Sequence, residues 1–208
     1  MIFPFSLNFD SLTPTAVGLS LGIFPLAMLY PLAKRYTHYA QTVLGVCFNS
    51  GIFIGAAQAM GPAVSAAALL KVAPFYLGCI AWTMIYDTIY AYGDREDDMK
   101  QGMKGLAVLW GDETIEKCQK LNFAKVGLFS LTGVLMNFSW PYYLGVAALG
   151  VANHSWVSGI DLNDRSTYQR FFDNNRRYAL FVIALIILGK LTASQKPEGK
   201  EKGSKTEK

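Results

Sequence analysis

Apolar residues lie in long tracts along this chain, separated by polar connections. The tracts approach the roughly 17–25 residues that a helix needs to cross the hydrocarbon core of a bilayer. They cover residues 15–33, 41–60, 72–92, 121–138, 142–157 and 178–191. Lipid satisfies no backbone polar group, so spanning segments of this kind must be helices. The pattern predicts an all-α, multi-pass transmembrane helical bundle of about six spans, of which the fifth and sixth are short enough to be tilted, partly buried or re-entrant.

Composition and charge support a membrane protein. Hydrophobic residues make up 52% of the chain and charged residues 16%, against about 25% charged in an ordinary soluble domain. The Lys and Arg residues collect in the first, third and fifth connections between the tracts. The positive-inside rule therefore places these three connections on the cytoplasmic or matrix side. We expect an integral membrane protein that contacts the lipid bilayer, with no nucleic-acid partner.

Three regions are predicted along the chain. Residues 1–13 form an N-terminal segment without the basic start and cleavage site of a secretory signal. Residues 14–193 form the transmembrane domain, whose first helix is expected to start with Thr13 as its cap and Pro14 at its first position. Residues 194–208 form a tail rich in Lys and Glu that we expect to be disordered.

An acidic segment, residues 86–98, begins inside the third apolar tract and continues past its end. Asp87 lies inside that tract, where a carboxylate is costly unless it pairs with a cation, so it is a candidate for a functional site. On one continuous helix, Asp87, Asp94 and Asp98 would lie within roughly 40° of one another. Three carboxylates on one face would hold a divalent cation. The ordinary alternative for Asp94 and Asp98 is a solvated helix end.

Magnesium is the cation that this segment fits best. A calcium loop is excluded because Met99 and Gly105 stand where it requires Gly and Glu. Zinc is disfavoured because His38 and His154 have no Cys or His partner at ligand spacing. Magnesium is held by one or two carboxylates together with substrate phosphates. The segment therefore predicts a Mg²⁺ site that holds a pyrophosphate.

Cations and tyrosines near this segment complete the candidate site. Lys34 and Arg35 are expected on the same membrane face, where they could grip phosphate oxygens. The tyrosine rings could line an apolar cavity and stabilise a carbocation. The further candidates for substrate binding are Tyr86, Tyr90, Lys100 and Lys104, with Tyr92 as another cavity residue. The ordinary alternatives are a positive-inside anchor for the Lys-Arg pair and an interfacial aromatic belt for the tyrosines.

Several motifs resemble those of the UbiA-type intramembrane aromatic prenyltransferases, and most of all their 4-hydroxybenzoate polyprenyltransferase branch. Residues 30–37, YPLAKRYT, are similar to that branch's Tyr-Pro-x-x-Lys-Arg-x-Thr turn. Residues 86–98, YDTIYAYGDREDD, resemble its second aspartate-rich motif, and residues 173–175, DNN, its Asn-rich approach to the final helix. The resemblance covers residues 14–190, so residues 14–193 are identified as part of a UbiA-type domain.

The resemblance implies a helical bundle of about nine spans around a central cavity open to lipid. It implies Mg²⁺-dependent transfer of a polyprenyl group from its pyrophosphate to an aromatic acid, 4-hydroxybenzoate, as in ubiquinone biosynthesis. Asp94 and Asp98 match the family's metal-binding pair. Asp87 matches an aspartate that orients the phosphate or the acceptor, and Lys34 with Arg35 matches a basic pair that binds pyrophosphate or the acceptor's carboxylate.

Two departures from the family pattern shape the remaining expectations. After the second motif the family reads Gly-x-Lys-Ser-Thr-Ala, whereas residues 102–107 read GMKGLA, so Lys104 is kept and both hydroxyls are absent. The family's first aspartate-rich motif, Asn-Asp-x-x-Asp-x-x-x-Asp, has no match. The chain therefore resembles the C-terminal two-thirds of the family fold. We expect little or no activity unless a partner chain supplies the missing helices.

The departures leave alternative functions open. One is farnesyl-type transfer to another phenolic acid in meroterpenoid biosynthesis. The other is a non-catalytic membrane protein that binds prenyl lipids. The expected compartment is the mitochondrial inner membrane for ubiquinone biosynthesis, or another endomembrane for a meroterpenoid enzyme.

Overall fold

A computed structural model describes residues 12–193, which form ten α-helices and one 3-10 helix. The expectations for residues 1–11 and for the tail 194–208 lie outside this range. In chain order the elements are α1 (Pro14–Tyr36), α2 (Ala40–Asn49), α3 (Gly51–Met60), α4 (Ala66–Leu70), α5 (Ala73–Tyr92), α6 (Arg95–Lys100), α7 (Leu106–Trp110), the 3-10 helix (Gly111–Glu113), α8 (Thr114–Leu135), α9 (Trp140–Ser158) and α10 (Arg165–Ala193).

The six apolar tracts all fall on helices, which confirms the all-α prediction. The second tract covers α2 and α3, and the others fall on α1, α5, α8, α9 and α10. Among the described residues, two segments are long and apolar enough to cross a membrane by length and composition, Pro14–Tyr36 and Ala40–Met60. Of the six predicted spans, these two meet the criteria of length and composition within residues 12–193. Charged residues inside α8 and in the first half of α10 lower the mean hydropathy of those helices.

Side chains cap both the first and the last helix. The Thr13 hydroxyl accepts a hydrogen bond from the Ala16 N–H at 3.3 Å, and Pro14 occupies the first turn, as predicted. At the start of α10, the Asp164 carboxylate accepts a hydrogen bond from the Ser166 N–H at 2.9 Å. This bond holds the pKa of Asp164 below its usual value. Both caps satisfy backbone N–H groups that would otherwise lack a partner.

The most closely packed part of the bundle is formed by α5, α8, α9 and α10. Helix α5 packs most extensively against α8, and α9 packs on α8 and α10. Gly78 on α5 permits this approach, because a Cβ atom there would lie 2.6 Å from the Phe129 ring. The apolar core between these helices consists of two clusters of buried side chains. The first holds Cys79, Phe129, Tyr142, Val146, Tyr178 and Val182, and the second Ile85, Ile89, Cys118, Val157, Tyr168 and Phe171.

The acidic segment does not lie on one continuous helix. Helix α5 ends at Tyr92 and α6 begins at Arg95, with Gly93 and Asp94 in a turn between them. Glycine is a poor helix former, and Asp is favoured at a helix N-cap. The prediction that one helix carries the three aspartates as a ladder is therefore wrong. The turn separates Asp87 on α5 from Asp98 on α6.

Helices α5 and α10 run antiparallel along their contact. Near the start of α10, the Tyr168 ring lies against Gly93 at the end of α5, where an added Cβ would be 3.1 Å from the ring. Two turns further along α10, Asn175 Oδ1 accepts a hydrogen bond from Trp82 Nε1 at 2.8 Å. Moving along α10 therefore leads away from the acidic turn and back along α5.

Candidate functional site

The basic end of α1 is joined to the acidic segment by an ion pair. Lys34 Nζ lies 2.9 Å from Asp98 Oδ2, and the two side chains are 32% and 17% exposed. The partners are 64 positions apart in sequence, so the contact is made by the fold and not by local helix geometry. The structure thus brings together a lysine and an aspartate that the sequence marked separately as candidates.

The segment after α6 folds back over this ion pair. The Lys104 N–H donates to the Lys34 carbonyl at 2.7 Å, and the Met103 N–H donates to the Asp98 carbonyl at 2.8 Å. The Lys104 ammonium reaches the Tyr36 carbonyl at 3.3 Å. Lys104, another of the predicted cations, therefore also lies at the end of α1. A basic and acidic cluster formed by Lys34, Asp98 and Lys104 results.

Two further aspartates flank this cluster. Asp87 is partly buried on α5 and interacts electrostatically with Lys34, and also with Tyr30 on α1. Asp94 is exposed in the turn, and its carbonyl accepts the Asp98 N–H at 2.9 Å. Lys34 thus contacts Asp98 directly and acts on Asp87 only through longer-range electrostatics.

The predicted cations outside the cluster have different surroundings. Arg35 is exposed in the last turn of α1 and makes no ion pair within residues 12–193. Lys100 pairs with Asp97 at 3.1 Å, with both side chains more than 70% exposed. An exposed pair of this kind contributes little to stability. The structure therefore leaves Arg35 available to a ligand and holds Lys100 at the surface.

An aromatic row leads from the acidic turn into the bundle. The Phe172 ring on α10 lies 5.2 Å from the Tyr90 ring and 6.1 Å from the Tyr86 ring. Tyr86 in turn lies 6.4 Å from Trp82, edge to face. Tyr86 and Tyr90 on α5 thus both contact Phe172 of α10, and their role in lining a substrate cavity stays a prediction. Tyr92, by contrast, is half-buried outside this row, where its hydroxyl accepts a hydrogen bond from Arg95 and donates one to Asp112.

Comparison with known proteins places the chain in a family. Residues 6–187 match the UbiA prenyltransferase family. The chain belongs to this family. The resemblance stated from the motifs is thereby confirmed.

The chain is also similar to individual UbiA relatives. It is 32% identical, over 95% of its length, to "4-hydroxybenzoate polyprenyltransferase, mitochondrial" from Dictyostelium discoideum, of which it covers 42%. It is 32% identical, over 90% of its length, to the Homo sapiens protein of the same name, of which it covers 50%. The chain thus spans about half the length of the curated relatives it matches.

A solved structure supports the UbiA fold. The apo structure of a UbiA homolog from Aeropyrum pernix K1 superposes with a TM-score of 0.68 at 21% identity. The match covers 86% of this chain and 66% of that one. At this identity the likeness shows the fold alone.

Metal binding by a cluster of protein ligands is not visible in the described range. Within residues 12–193, no group of three or more His, Cys, Asp and Glu side chains is arranged to hold a metal ion. Asp87 lies on α5, Asp94 in the turn after it and Asp98 on α6. Asp94 and Asp98 remain the predicted metal pair of this UbiA chain.

Sequence reasoning missed Phe172 and Arg176 on α10 and Asn49 on α2, whereas Asn175 belongs to the DNN motif described above. A cavity of about 320 Å³ lies against the aromatic row, between α2, α5 and α10. Its polar residues include Asn49, Asn175 and Arg176. The available signal was the helical spacing of Phe172 and Arg176, four residues apart, which places both on one face of α10. That α10 faces α5 could not be inferred from spacing.

Proposed function

We propose that this UbiA-family chain carries out, or forms the larger part of the site for, transfer of a polyprenyl group from its pyrophosphate to 4-hydroxybenzoate. The observation that carries the proposal is the ion pair of Lys34 with Asp98 at 2.9 Å. It joins the basic turn of α1 to the family's second aspartate motif, so that cations and carboxylates meet where a metal-bound pyrophosphate would lie. The relatives named above are mitochondrial, which favours the mitochondrial inner membrane and a multi-pass topology.

Asp94 and Asp98 fit magnesium by the chemistry of their donors. Carboxylate oxygens are the hard ligands that Mg²⁺ prefers, and two of them with substrate phosphates suffice. Asp94 lies in the turn between α5 and α6 with an exposed side chain, and Asp98 lies four residues later on α6. When bound, the ion would neutralise charge on the leaving pyrophosphate.

The chain's own residues then act on the two substrates. Lys34 and Arg35 bind pyrophosphate oxygens as the allylic C–O bond breaks and the pyrophosphate leaves with the electron pair. The ring faces of Tyr86 and Tyr90 stabilise the allylic cation. A ring carbon beside the phenol forms the new C–C bond, and its proton passes to a base, for which we assign the partly buried Asp87.

The test measures pyrophosphate binding and product formation by the chain in lipid nanodiscs. Farnesyl pyrophosphate, 4-hydroxybenzoate and Mg²⁺ are the probes. We expect the Asp94→Asn, Asp98→Asn double variant to weaken Mg²⁺-dependent pyrophosphate binding by more than about tenfold, since charged partners are lost. Asp97→Asn is the matched control, because Asp97 lies on the same short helix and pairs with Lys100 at the surface. Equal binding by the double variant and the control would contradict the proposed site.

Binding without turnover is the second candidate function. It is favoured by the observation that residues 12–193 hold no cluster of three metal-ligating side chains. Specific, aspartate-dependent binding of farnesyl pyrophosphate with no product would support it. Robust turnover by the chain alone would exclude it and would overturn the expectation of low activity. Transfer to other phenolic acids in preference to 4-hydroxybenzoate would support the meroterpenoid alternative.

A further inference from the structure

The cavity between α2, α5 and α10 combines an aromatic wall with a cation. Trp82, Tyr86 and Phe172 form the wall, with successive rings edge to face at 6.4 Å and 6.1 Å. Trp82 is held in place by Asn175, whose Oδ1 accepts its indole N–H at 2.8 Å. A rigid wall of this kind suits a flat ring, since edge-to-face and offset contacts between aromatic rings are favourable.

Arg176 supplies the cation of this cavity. Its side chain lines the cavity, and it makes no ion pair with any residue of the described range. Arginine near a membrane-embedded bundle either reaches the interface or marks a ligand pathway. The adjacent Arg177 does not line the cavity, because one residue further along a helix turns the side chain by about 100°. The two arginines therefore provide a matched pair, one inside the cavity and one outside it.

The register of α5 against α10 determines which end of the cavity lies nearer to the acidic turn. Phe172 lies beside Tyr90, which is one helical turn from Asp94. Arg176 lies one turn further along α10, and α10 leads away from the acidic turn. The cation is therefore at the far end of the cavity, with the aromatic wall between it and the candidate pyrophosphate site.

We propose that this cavity binds the aromatic acid acceptor, with its carboxylate on Arg176 and its ring against Tyr86 and Phe172. The assignment rests on the proposed prenyl transfer and gives that reaction its acceptor site. A guanidinium pairs with a carboxylate through two parallel hydrogen bonds. With the acid held at Arg176, the opposite end of the ring points to Tyr90 and the acidic turn. A hydroxyl para to the carboxylate then lies on the side where the allylic cation forms.

Electrostatic repulsion also favours placing the carboxylate and the pyrophosphate at opposite ends of the site. The pyrophosphate and the carboxylate are both anions and repel each other, more strongly in a medium of low dielectric constant. Placing the carboxylate on Arg176 and the pyrophosphate near Lys34 keeps the anions at opposite ends.

The test is equilibrium binding of radiolabelled 4-hydroxybenzoate to the chain in nanodiscs, without Mg²⁺ or a prenyl pyrophosphate. The competitor 4-hydroxybenzamide has the same ring and hydroxyl but no charge. We expect the acid to bind about tenfold more tightly than the amide, as loss of one charged hydrogen-bonding partner implies. Arg176→Gln should make the two affinities equal, Arg176→Lys should restore part of the preference, and Arg177→Gln should leave it unchanged.

Two outcomes would overturn the assignment. One is a preference for the acid that survives in Arg176→Gln. The other is displacement of 4-hydroxybenzoate by inorganic pyrophosphate in the original chain, with Arg176→Gln losing pyrophosphate binding, which would make Arg176 a pyrophosphate ligand. Failure of the proposed function has a separate signature. It would appear as pyrophosphate binding that ignores Asp94 and Asp98 while the acid still depends on Arg176.

Discussion

Two parts of the bundle use the same residue types in opposite ways. In the part formed by α5, α8, α9 and α10, glycines stand where rings press on a helix backbone. A Cβ added at Gly133 would lie 2.7 Å from the Tyr142 ring. On α1 and α3, by contrast, Gly18, Gly22 and Gly55 have nothing within 4 Å of such an atom, whereas one added at Gly45 on α2 would lie 3.1 Å from Ile80 of α5.

Large apolar side chains are exposed in both parts, among them Phe123 on α8 at 65% and Trp140 on α9 at 74%. Phe24 on α1 is 61% exposed and Phe48 on α2 is 73% exposed. The two segments that are apolar enough to cross a membrane, Pro14–Tyr36 and Ala40–Met60, are only 11% and 17% buried in their most apolar stretches. Small residues therefore accompany close helix packing between α5, α8 and α9, whereas those of α1 and α3 lie on a surface that lipid would cover under the proposed topology.

The largest effect is expected from filling a glycine contact in the packed part. Gly133→Val should destabilise the bundle by about 2–3 kcal/mol, because the added side chain overlaps the rings of Tyr142 and Tyr143 in a filled core. Gly55→Val is the matched control, with open space around the same new side chain. Its effect should stay within about 0.5 kcal/mol. Reversible unfolding of the purified chain in mixed micelles measures both.

Equal effects of these two variants would contradict the difference in packing between Gly133 and Gly55. If Gly55→Val were as costly as Gly133→Val, α3 would have to be packed against another surface in the folded protein. The measurement thus reports on the cover of α3 as well as on the core between α8 and α9.

The sequence predicted the helical tracts and the chemistry of the site better than the geometry of the site. Apolar tract length is a local property, so all six tracts appear as helices. The turn at Gly93 and Asp94 was missed because helical spacing was extended across a weak helix former. The position of Arg176 in the cavity and the burial of Lys125 on α8 were missed for another reason. Both depend on which face of one helix meets another, and spacing along a single helix carries no such information.

Lys125 is the exception within the packed part, and its removal should have the next largest effect. Its side chain is fully buried on α8, its ammonium has no hydrogen-bond partner among the described residues, and it lies 4.5 Å from the Tyr178 ring centroid. A buried charge without an ionic partner costs more than one ring contact returns. Lys125→Met, similar in shape, should stabilise the chain by about 1–2 kcal/mol.

Lys117→Met is the control for this variant. Lys117 lies on the same helix, 39% exposed and paired with Glu113, so its replacement should change the unfolding free energy little. A loss of stability in Lys125→Met larger than that in the control would show that the ammonium is satisfied in the folded protein. The packed part would then depend on a polar partner for the Lys125 ammonium.

The smallest effect is expected at the ion pair of Lys34 on α1 with Asp98 on α6, outside the packed part. Lys34→Met should cost about 1 kcal/mol or less, since the pair is partly exposed. Its effect should nevertheless be local and detectable, because the Met103 and Lys104 N–H groups bond to the carbonyls of Asp98 and Lys34. Amide hydrogen exchange at these two positions should accelerate, as local opening becomes easier. Lys100→Met removes a fully surface pair on the same short helix as Asp98 and should leave both amides unchanged. Unchanged exchange in Lys34→Met would mean that backbone bonds alone hold α1 to the acidic segment, and that the ion pair serves the substrate and not the fold.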